Sequence, residues 1–210
     1  ANKSIVPRLR AIWRSLPGQL AKEDKRFVAA EVMGEKGERM RSRDLKDPFE
    51  WLEAAGIAYR VWNVRRPNIP LDAYRSNVFK LFGVDVGLIG AQSHLDAKSV
   101  LEGSQIFTEF KGALTEQFVQ QEMRAEENIQ PFYWSSEDSR TEIDFIMELG
   151  GLLVPVEVKA ERNLRSKSLK RFIERFSQKT AVRTSMAEWQ EGNNIVDMPL
   201  YAIGQIARII

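Results

Sequence analysis

The chain has 210 residues, of which 43% are hydrophobic and 29% are charged, and its formal net charge is +2. This composition is typical of a folded protein with a hydrophobic core, and the longest apolar runs are far shorter than the roughly 20 residues that a membrane span needs. The absence of cysteine and the presence of one histidine, His94, exclude disulfides, thiolate metal sites, cysteine nucleophiles and His-rich zinc sites, so carboxylates must be the main ligands of any metal.

Helices followed by a two-stranded ribbon are predicted in residues 1–100. Apolar spacing and turn residues indicate three helices, over 5–16, 22–33 and 47–56, and then strands over 57–64 and 77–82. The loop between the two strands carries Arg65 and Arg66. Helices followed by a ribbon with a basic tip are typical of a winged helix. Such a unit either contacts DNA or only packs against another protein, and both alternatives stay open.

Residues 101–210 are predicted to form a second domain, with the boundary near residue 100. A period of 3.6 residues indicates helices over 105–124 and 166–177. Apolar runs indicate strands over 132–134, 142–149, 152–159, 180–185 and 194–203. We therefore expect an α+β fold, with a winged-helix-like unit followed by a mixed sheet that is flanked by helices.

Charge is unevenly distributed in this second half. Residues 101–157 carry 3 basic and 12 acidic side chains, whereas residues 159–183 carry 9 basic and 2 acidic ones. An acidic segment beside a basic one suits a metal site next to a polyanion such as a nucleic acid. A pair of solvated faces would give the same pattern, so charge alone does not choose between them.

Gly150 and Gly151 predict a two-residue hairpin turn, because a type I′ turn needs positive φ at both central positions. The register that follows from this turn places Asp144 directly opposite Glu157 and Glu142 opposite Lys159. Two carboxylates in such a pair lie roughly 5 Å apart and repel each other. A stable fold needs something that offsets this repulsion.

Three arrangements would reduce the repulsion between the two carboxylates. A divalent cation bridges Asp144 and Glu157, or the Lys159 ammonium offsets their charge, or Lys159 pairs with Glu142 and leaves both carboxylates solvated. Glu116, in the long helix, lies in a stripe of small or apolar residues. It is therefore either half-buried with a partner or at the edge of a groove. The residues alone leave these alternatives open.

The order of these side chains resembles the PD-(D/E)XK restriction-endonuclease-like superfamily, with Glu116 on a helix, Asp144 on a strand and Glu157-Val158-Lys159 at the end of the next strand. The surrounding segments are similar to the C-terminal region of prokaryotic AAA-type ATP-binding proteins, which contains a winged-helix part and a domain of unknown function. Those segments are Leu16-Pro17-Gly18-Gln19-Leu20-Ala21-Lys22, Glu50-Trp51-Leu52-Glu53-Ala54-Ala55-Gly56, Phe79-Lys80-Leu81-Phe82, Asp85-Val86-Gly87-Leu88, Gly112-Ala113-Leu114-Thr115-Glu116, Tyr133-Trp134, Glu142-Ile143-Asp144-Phe145 and Val156-Glu157-Val158-Lys159-Ala160.

The resemblance implies that residues 1–100 are winged-helix-like and that residues 101–210 are endonuclease-like. It also implies that an N-terminal P-loop ATPase domain, which would bind ATP, precedes these residues in a longer protein. No phosphate-binding P-loop sequence occurs in the 210 residues, so we expect no ATPase activity from them. We expect a cytoplasmic protein with no membrane partner, whose partners are DNA, its own ATPase domain or another protein.

The resemblance further implies catalytic roles for four residues, Glu116, Asp144, Glu157 and Lys159. In that superfamily the acids, here Asp144 and Glu157, hold Mg²⁺ or Mn²⁺, and the lysine positions the attacking water and stabilises charge on the phosphate. The side chains expected to contact nucleic acid are Arg65, Arg66, Arg165, Lys167, Lys170 and Arg171. The expected function is metal-dependent hydrolysis of DNA phosphodiesters, and the alternative is an inactive module of the same ATPase that binds nucleic acid or protein.

Overall fold

A computed structural model of the chain describes residues 5–34, 37–95, 98, 105–126, 129–138, 140–162 and 166–210. The α-helices in these ranges are α1 (Ile5–Leu20), α2 (Lys46–Ala54), α3 (Val86–Gln92), α4 (Gln105–Ala125), α5 (Lys167–Phe176) and α6 (Ile206–Ile209). The strands are β1 (Ala58–Val64), β2 (Arg75–Gly83), β3 (Phe132–Ser135), β4 (Glu142–Leu149), β5 (Leu152–Val158), β6 (Ala181–Ser185), β7 (Gln190–Glu191) and β8 (Ile195–Pro199). Short 3₁₀ helices lie at Ala29–Glu31, Ser42–Asp44, Leu71–Tyr74 and Leu200–Gln205.

The strands within the described ranges form one eight-stranded sheet, in the order β2-β1-β3-β4-β5-β6-β8-β7. Strand β1 is parallel to β3, β5 to β6, and β6 to β8, whereas β4 is antiparallel to both β3 and β5. Strands β1, β3, β5, β6 and β8 therefore all end at the same side of the sheet, which we call the C-terminal edge. The mixed sheet and its helices confirm the predicted α+β class.

The chain divides into two compact units. The first unit comprises Ala1–Arg60 and Val78–Leu114, and the second comprises Val61–Asn77 and Thr115–Ile210. The segment Val61–Asn77 therefore belongs to the same unit as β3 to β8. The predicted division into domains at residue 100 stays a prediction.

The helix predicted over residues 22–33 is wrong, because this part of the first unit is irregular and contains only a short 3₁₀ helix at Ala29–Glu31. The Phe27 N–H donates to the Phe79 carbonyl at 2.8 Å, and Arg26 forms an antiparallel bridge with Lys80. The Phe27 ring stacks on Phe79 at 5.3 Å between centroids and meets the edge of Phe49 at 5.0 Å. Pairing with β2 and aromatic packing together outweigh the weak helical periodicity of this segment.

Strands β1 and β2 lie at one end of the eight-stranded sheet rather than in a separate ribbon. The turn-forming Gly56 that precedes β1 has a φ of +68°, so the predicted end of the helix before it is confirmed. The winged-helix interpretation of this region stays a prediction.

The core of the second unit lies between α5 and the sheet. Helix α5 places Leu169, Phe172 and Phe176 on one side, as the predicted spacing requires. The Trp134 ring of β3 meets Phe172 at 5.2 Å and Phe176 at 5.4 Å, both edge to face. Full burial of each such side chain stabilises the fold by about 1.5–3 kcal/mol, so this contact fixes α5 and its basic outer side on the sheet.

Candidate functional site

The hairpin of β4 and β5 has the predicted turn and register as far as Phe145. Gly150 and Gly151 have φ values of +55° and +79°, as a type I′ turn requires. Residues pair from Leu149 with Leu152 to Phe145 with Val156. The prediction is therefore confirmed over the half of the hairpin that adjoins the turn.

Beyond Phe145 a bulge interrupts the regular alternation of β4. Phe132 pairs with Ile146 whereas Trp134 pairs with Ile143, so β4 has one more residue than β3 in this interval. Ile143 and Ile146 consequently lie in the same core cluster. A register argument that starts from the turn does not foresee this bulge, because the bulge arises from the pairing of β4 with β3.

Asp144 lies within this bulge. Its side-chain carboxylate accepts a hydrogen bond from a β5 backbone N–H, where a regular strand pair would offer a backbone carbonyl. The Val158 N–H donates to Asp144 Oδ2 at 2.8 Å. A charge-assisted bond of this kind holds the carboxylate at the end of β5. The bulge thus aims the half-buried Asp144 at the segment that contains Glu157 and Lys159.

Glu157 is a buried acid, with 6% of its surface exposed, and Lys159 Nζ lies 2.6 Å from its Oε1. The partner of Lys159 is therefore Glu157 rather than Glu142. Burial raises the pKa of Glu157 and the Lys159 ammonium opposes that rise. The negative charges of Glu116 and Glu142 raise this pKa further.

Glu116 lies on the buried side of α4, with 7% of its surface exposed. Its negative charge contributes to the raised pKa of Glu157, after burial, which is the main cause. Glu116 is therefore buried in the protein and does not lie at the edge of a groove. The structure thus gathers Glu116, Glu157 and Lys159 and holds Asp144 at the neighbouring backbone.

The predicted nucleic-acid contacts occupy two places in the second unit. Arg65 and Arg66 are exposed directly after β1, at the C-terminal edge, where β5 also ends beside Lys159. Strands β1 and β5 are three strand spacings apart, or about 14 Å. Three further cations are exposed on α5, namely Lys167, Lys170 and Arg171. Arg165 lies outside the described residues.

The donor types at this site fit a hard cation, because carboxylate oxygens are the ligands that Mg²⁺ and Mn²⁺ prefer. Their arrangement fits less well. Within the described residues, no three His, Cys, Asp or Glu side chains are arranged so that they could hold a metal ion. The Lys159 ammonium also lies against one of the two Glu157 carboxylate oxygens, Oε1.

Two buried polar features escaped the sequence-based prediction. Arg183, the β6 residue next to Glu157 in the sheet, forms an ion pair with Asp197 of β8 and donates to Ser166 Oγ at 3.1 Å. Gln120 lies on α4 with 1% of its surface exposed. The signal for both was a polar residue inside an apolar pattern, in β6 and in the buried stripe of α4.

Substitution of Asp144 tests the role of its backbone contact. We expect Asp144→Ala to lower the free energy of unfolding by about 1–3 kcal/mol, because the Val158 N–H loses its acceptor in a buried position. Asp144→Asn keeps a side-chain oxygen as acceptor and removes one of several neighbouring negative charges, so its stability should stay within about 0.5 kcal/mol of the wild type. Urea unfolding of the three proteins measures the difference, and equal losses in both variants would contradict the assignment.

Residues 111–203 match the protein family described as "Domain of unknown function (DUF4143)", and residues 1–99 match "Domain of unknown function (DUF8612)". The first family occurs in C-terminal regions associated with AAA-type ATPases, so the match is compatible with the resemblance drawn from the sequence. Neither description states an activity.

One solved structure, that of protein VC1899 from Vibrio cholerae, is similar at 15% identity, with 98% of this chain and 50% of that chain covered and a TM-score of 0.31. The chain thus spans about half the length of that protein. No curated protein matches the chain. In the part of the chain that the structure describes, no helix is both long and apolar enough to cross a membrane.

Proposed function

We propose that the segment from Lys111 to Ile203 is a nuclease-like domain of the PD-(D/E)XK type that hydrolyses DNA phosphodiesters with the help of a divalent cation. The observation that supports this most directly is Glu157, a buried acid that interacts with a second acid, Glu116, and with the Lys159 ammonium. Buried acids with a perturbed pKa beside a lysine are common at catalytic sites. The domain would belong to the C-terminal region of an AAA-type ATPase, after a winged-helix-like part.

Each of the four side chains has a distinct task in this proposal. Glu116, Asp144 and Glu157 would hold Mg²⁺ or Mn²⁺, which when bound polarises a phosphoryl oxygen and lowers the pKa of a water molecule. The Val158 N–H orients the Asp144 carboxylate. The Lys159 ammonium, which lies 2.6 Å from Glu157 Oε1, would move away from Glu157 and stabilise the negative charge that develops on the phosphate.

The exposed cations support DNA as the substrate. Lys170 and Arg171 lie on the outer side of α5, whose inner side is fixed in the core by Phe172. Phosphate contacts from such a rigid helix contribute affinity without dependence on base sequence. Arg65 and Arg66, at the C-terminal edge, would contact phosphates farther along the duplex.

A second candidate function is a non-catalytic module of the same ATPase that binds nucleic acid or another protein. The Lys159–Glu157 ion pair favours it, because this pair neutralises the buried acid without any metal. The same basic side chains would then bind phosphates without cleavage. The two candidates differ in whether a divalent cation binds and whether DNA is cut.

A cleavage assay separates the two candidates. We expect the full-length protein to cut duplex DNA in Mn²⁺ or Mg²⁺, tested with and without ATP. Glu157→Gln should lower the rate by about 100-fold or more, since a charged group at the reacting centre typically contributes that much. Glu174→Gln, the same substitution on the exposed side of α5, serves as the matched control and should cut normally.

The double variant Lys170→Glu, Arg171→Glu separates binding from chemistry in the same assay. It should weaken DNA binding and lower the salt dependence of log affinity by roughly 0.9 for each lost phosphate contact. DNA binding that depends on these two residues, combined with no cleavage in either metal, would reject the nuclease and support the non-catalytic module.

A further inference from the structure

Gln120 is a buried amide on α4 that the proposed chemistry has not used. It has 1% of its surface exposed, and neither its side-chain nitrogen nor its side-chain oxygen has a hydrogen-bond partner within the described residues. A buried amide without partners destabilises a fold, and native proteins rarely keep one without a reason. The usual reasons are an ordered water, an ion or a ligand.

The position of Gln120 on α4 points to the acidic site. Gln120 follows Glu116 by four residues, so the two side chains lie on the same side of the helix, with Cβ atoms about 5–6 Å apart. Glu116 in turn interacts with Glu157. The amide therefore lies one helical turn from one carboxylate of the pair.

We propose that the side-chain amide oxygen of Gln120 is a further ligand of the divalent cation, in addition to the acids Glu116, Asp144 and Glu157. The inference rests on the proposed function, since it requires that a cation binds at this site. Amide oxygens are accepted ligands of hard cations alongside carboxylates. A neutral ligand also adds no charge to a buried site that already contains two acids, so it completes the coordination without more repulsion.

The competing explanation is a core amide that simply lacks partners. That explanation predicts that an apolar residue of similar shape improves the fold and changes nothing else.

The test compares Mn²⁺-dependent melting of the wild type with that of Gln120→Met and Gln117→Met. Gln117 is a neighbouring amide on α4 that is also buried, and it makes interactions of its own. We expect Gln120→Met to melt at the same or a higher temperature without metal, and to need at least ten times more Mn²⁺ for half of its maximal rise in Tm. Gln117→Met should melt at a lower temperature without metal and keep the wild-type Mn²⁺ midpoint.

Each outcome decides the assignment. A wild-type Mn²⁺ midpoint in Gln120→Met overturns the role of Gln120 and leaves the proposed function standing. No rise in Tm with Mn²⁺ in the wild type overturns both. If Gln120→Met does not fold, Gln120→Glu replaces it: tighter Mn²⁺ binding than the wild type supports a ligand at this position, and an unchanged midpoint rejects it.

Discussion

Arg183→Met is expected to lower the free energy of unfolding by about 3–5 kcal/mol, because it leaves the Asp197 carboxylate buried without its partner. Arg183 and Asp197 are 8% and 6% exposed, and two short bonds join them, Nε to Oδ1 at 2.6 Å and Nη2 to Oδ2 at 2.8 Å. Arg183 also donates to Ser166, directly before α5. The variant therefore loses a link between β6, β8 and the start of the basic helix.

Two further variants identify the cause of that loss. Arg183→Met combined with Asp197→Leu removes both charges and should recover most of the stability, since the cost arises from one unpaired buried charge. Arg175→Met removes an exposed arginine that lies over the Trp134 ring at 5.6 Å, and should change stability by about 1 kcal/mol or less. Urea unfolding followed by circular dichroism measures all of them. A loss below about 1 kcal/mol in Arg183→Met would show that the pair is not closed in solution.

Lys159→Met is expected to make stability strongly dependent on pH. Burial already raises the pKa of Glu157 above its ordinary value of 4.5, and Lys159 is the group that opposes the rise. Without Lys159 the pKa rises further, so the folded state holds the Glu157 proton more tightly than the unfolded chain does. The stability from that proton is complete below the unfolded pKa and is lost as pH rises through the folded pKa. At pH 7 the variant should be about 1.5–3 kcal/mol less stable than the wild type, and the difference should vanish below about pH 4.

The control for this prediction is Glu157→Gln combined with Lys159→Met, which removes the titrating group and should unfold with little pH dependence in this range.

The binding of Mn²⁺ to the same variant provides a second measurement. If the acids bind a cation, Lys159→Met should bind Mn²⁺ more tightly, because no ammonium competes for Glu157. The same variant should lose cleavage. Equal pH profiles for Lys159→Met and the wild type would mean that the ion pair does not form.

Periodicity and turn residues predicted most elements of the second unit. Helix α5 follows from its apolar spacing, and the β4–β5 hairpin from Gly150 and Gly151, because local geometry decides both. The segment around Phe27 was mispredicted as helix because its conformation depends on Phe79, a residue far along the chain. Long-range pairing leaves no periodic signal.

For the candidate site, the sequence allows a prediction of which residues take part, and that prediction stays open, but it does not allow a prediction of their contacts. Glu116, Asp144, Glu157 and Lys159 follow from motif order, but the choice of Glu157 as the partner of Lys159 depends on burial. The bulge that redirects Asp144 arises from the pairing of β4 with β3, which the turn sequence does not encode. The burial of Gln120 likewise requires the packing of α4.

The grouping of Val61–Asn77 with the second unit bears on how this region can be produced as a separate polypeptide. A fragment that begins at Lys111, where the family match begins, retains β3 but lacks β1, its parallel neighbour on one side. The backbone of β3 would then become an open strand edge next to Phe132 and Trp134, which are buried in the intact chain. Open apolar edges recruit further strands. An excised domain of this kind should therefore precipitate or form oligomers. If it also lost activity, the cause would be the missing strand β1 and not the removal of a regulatory region.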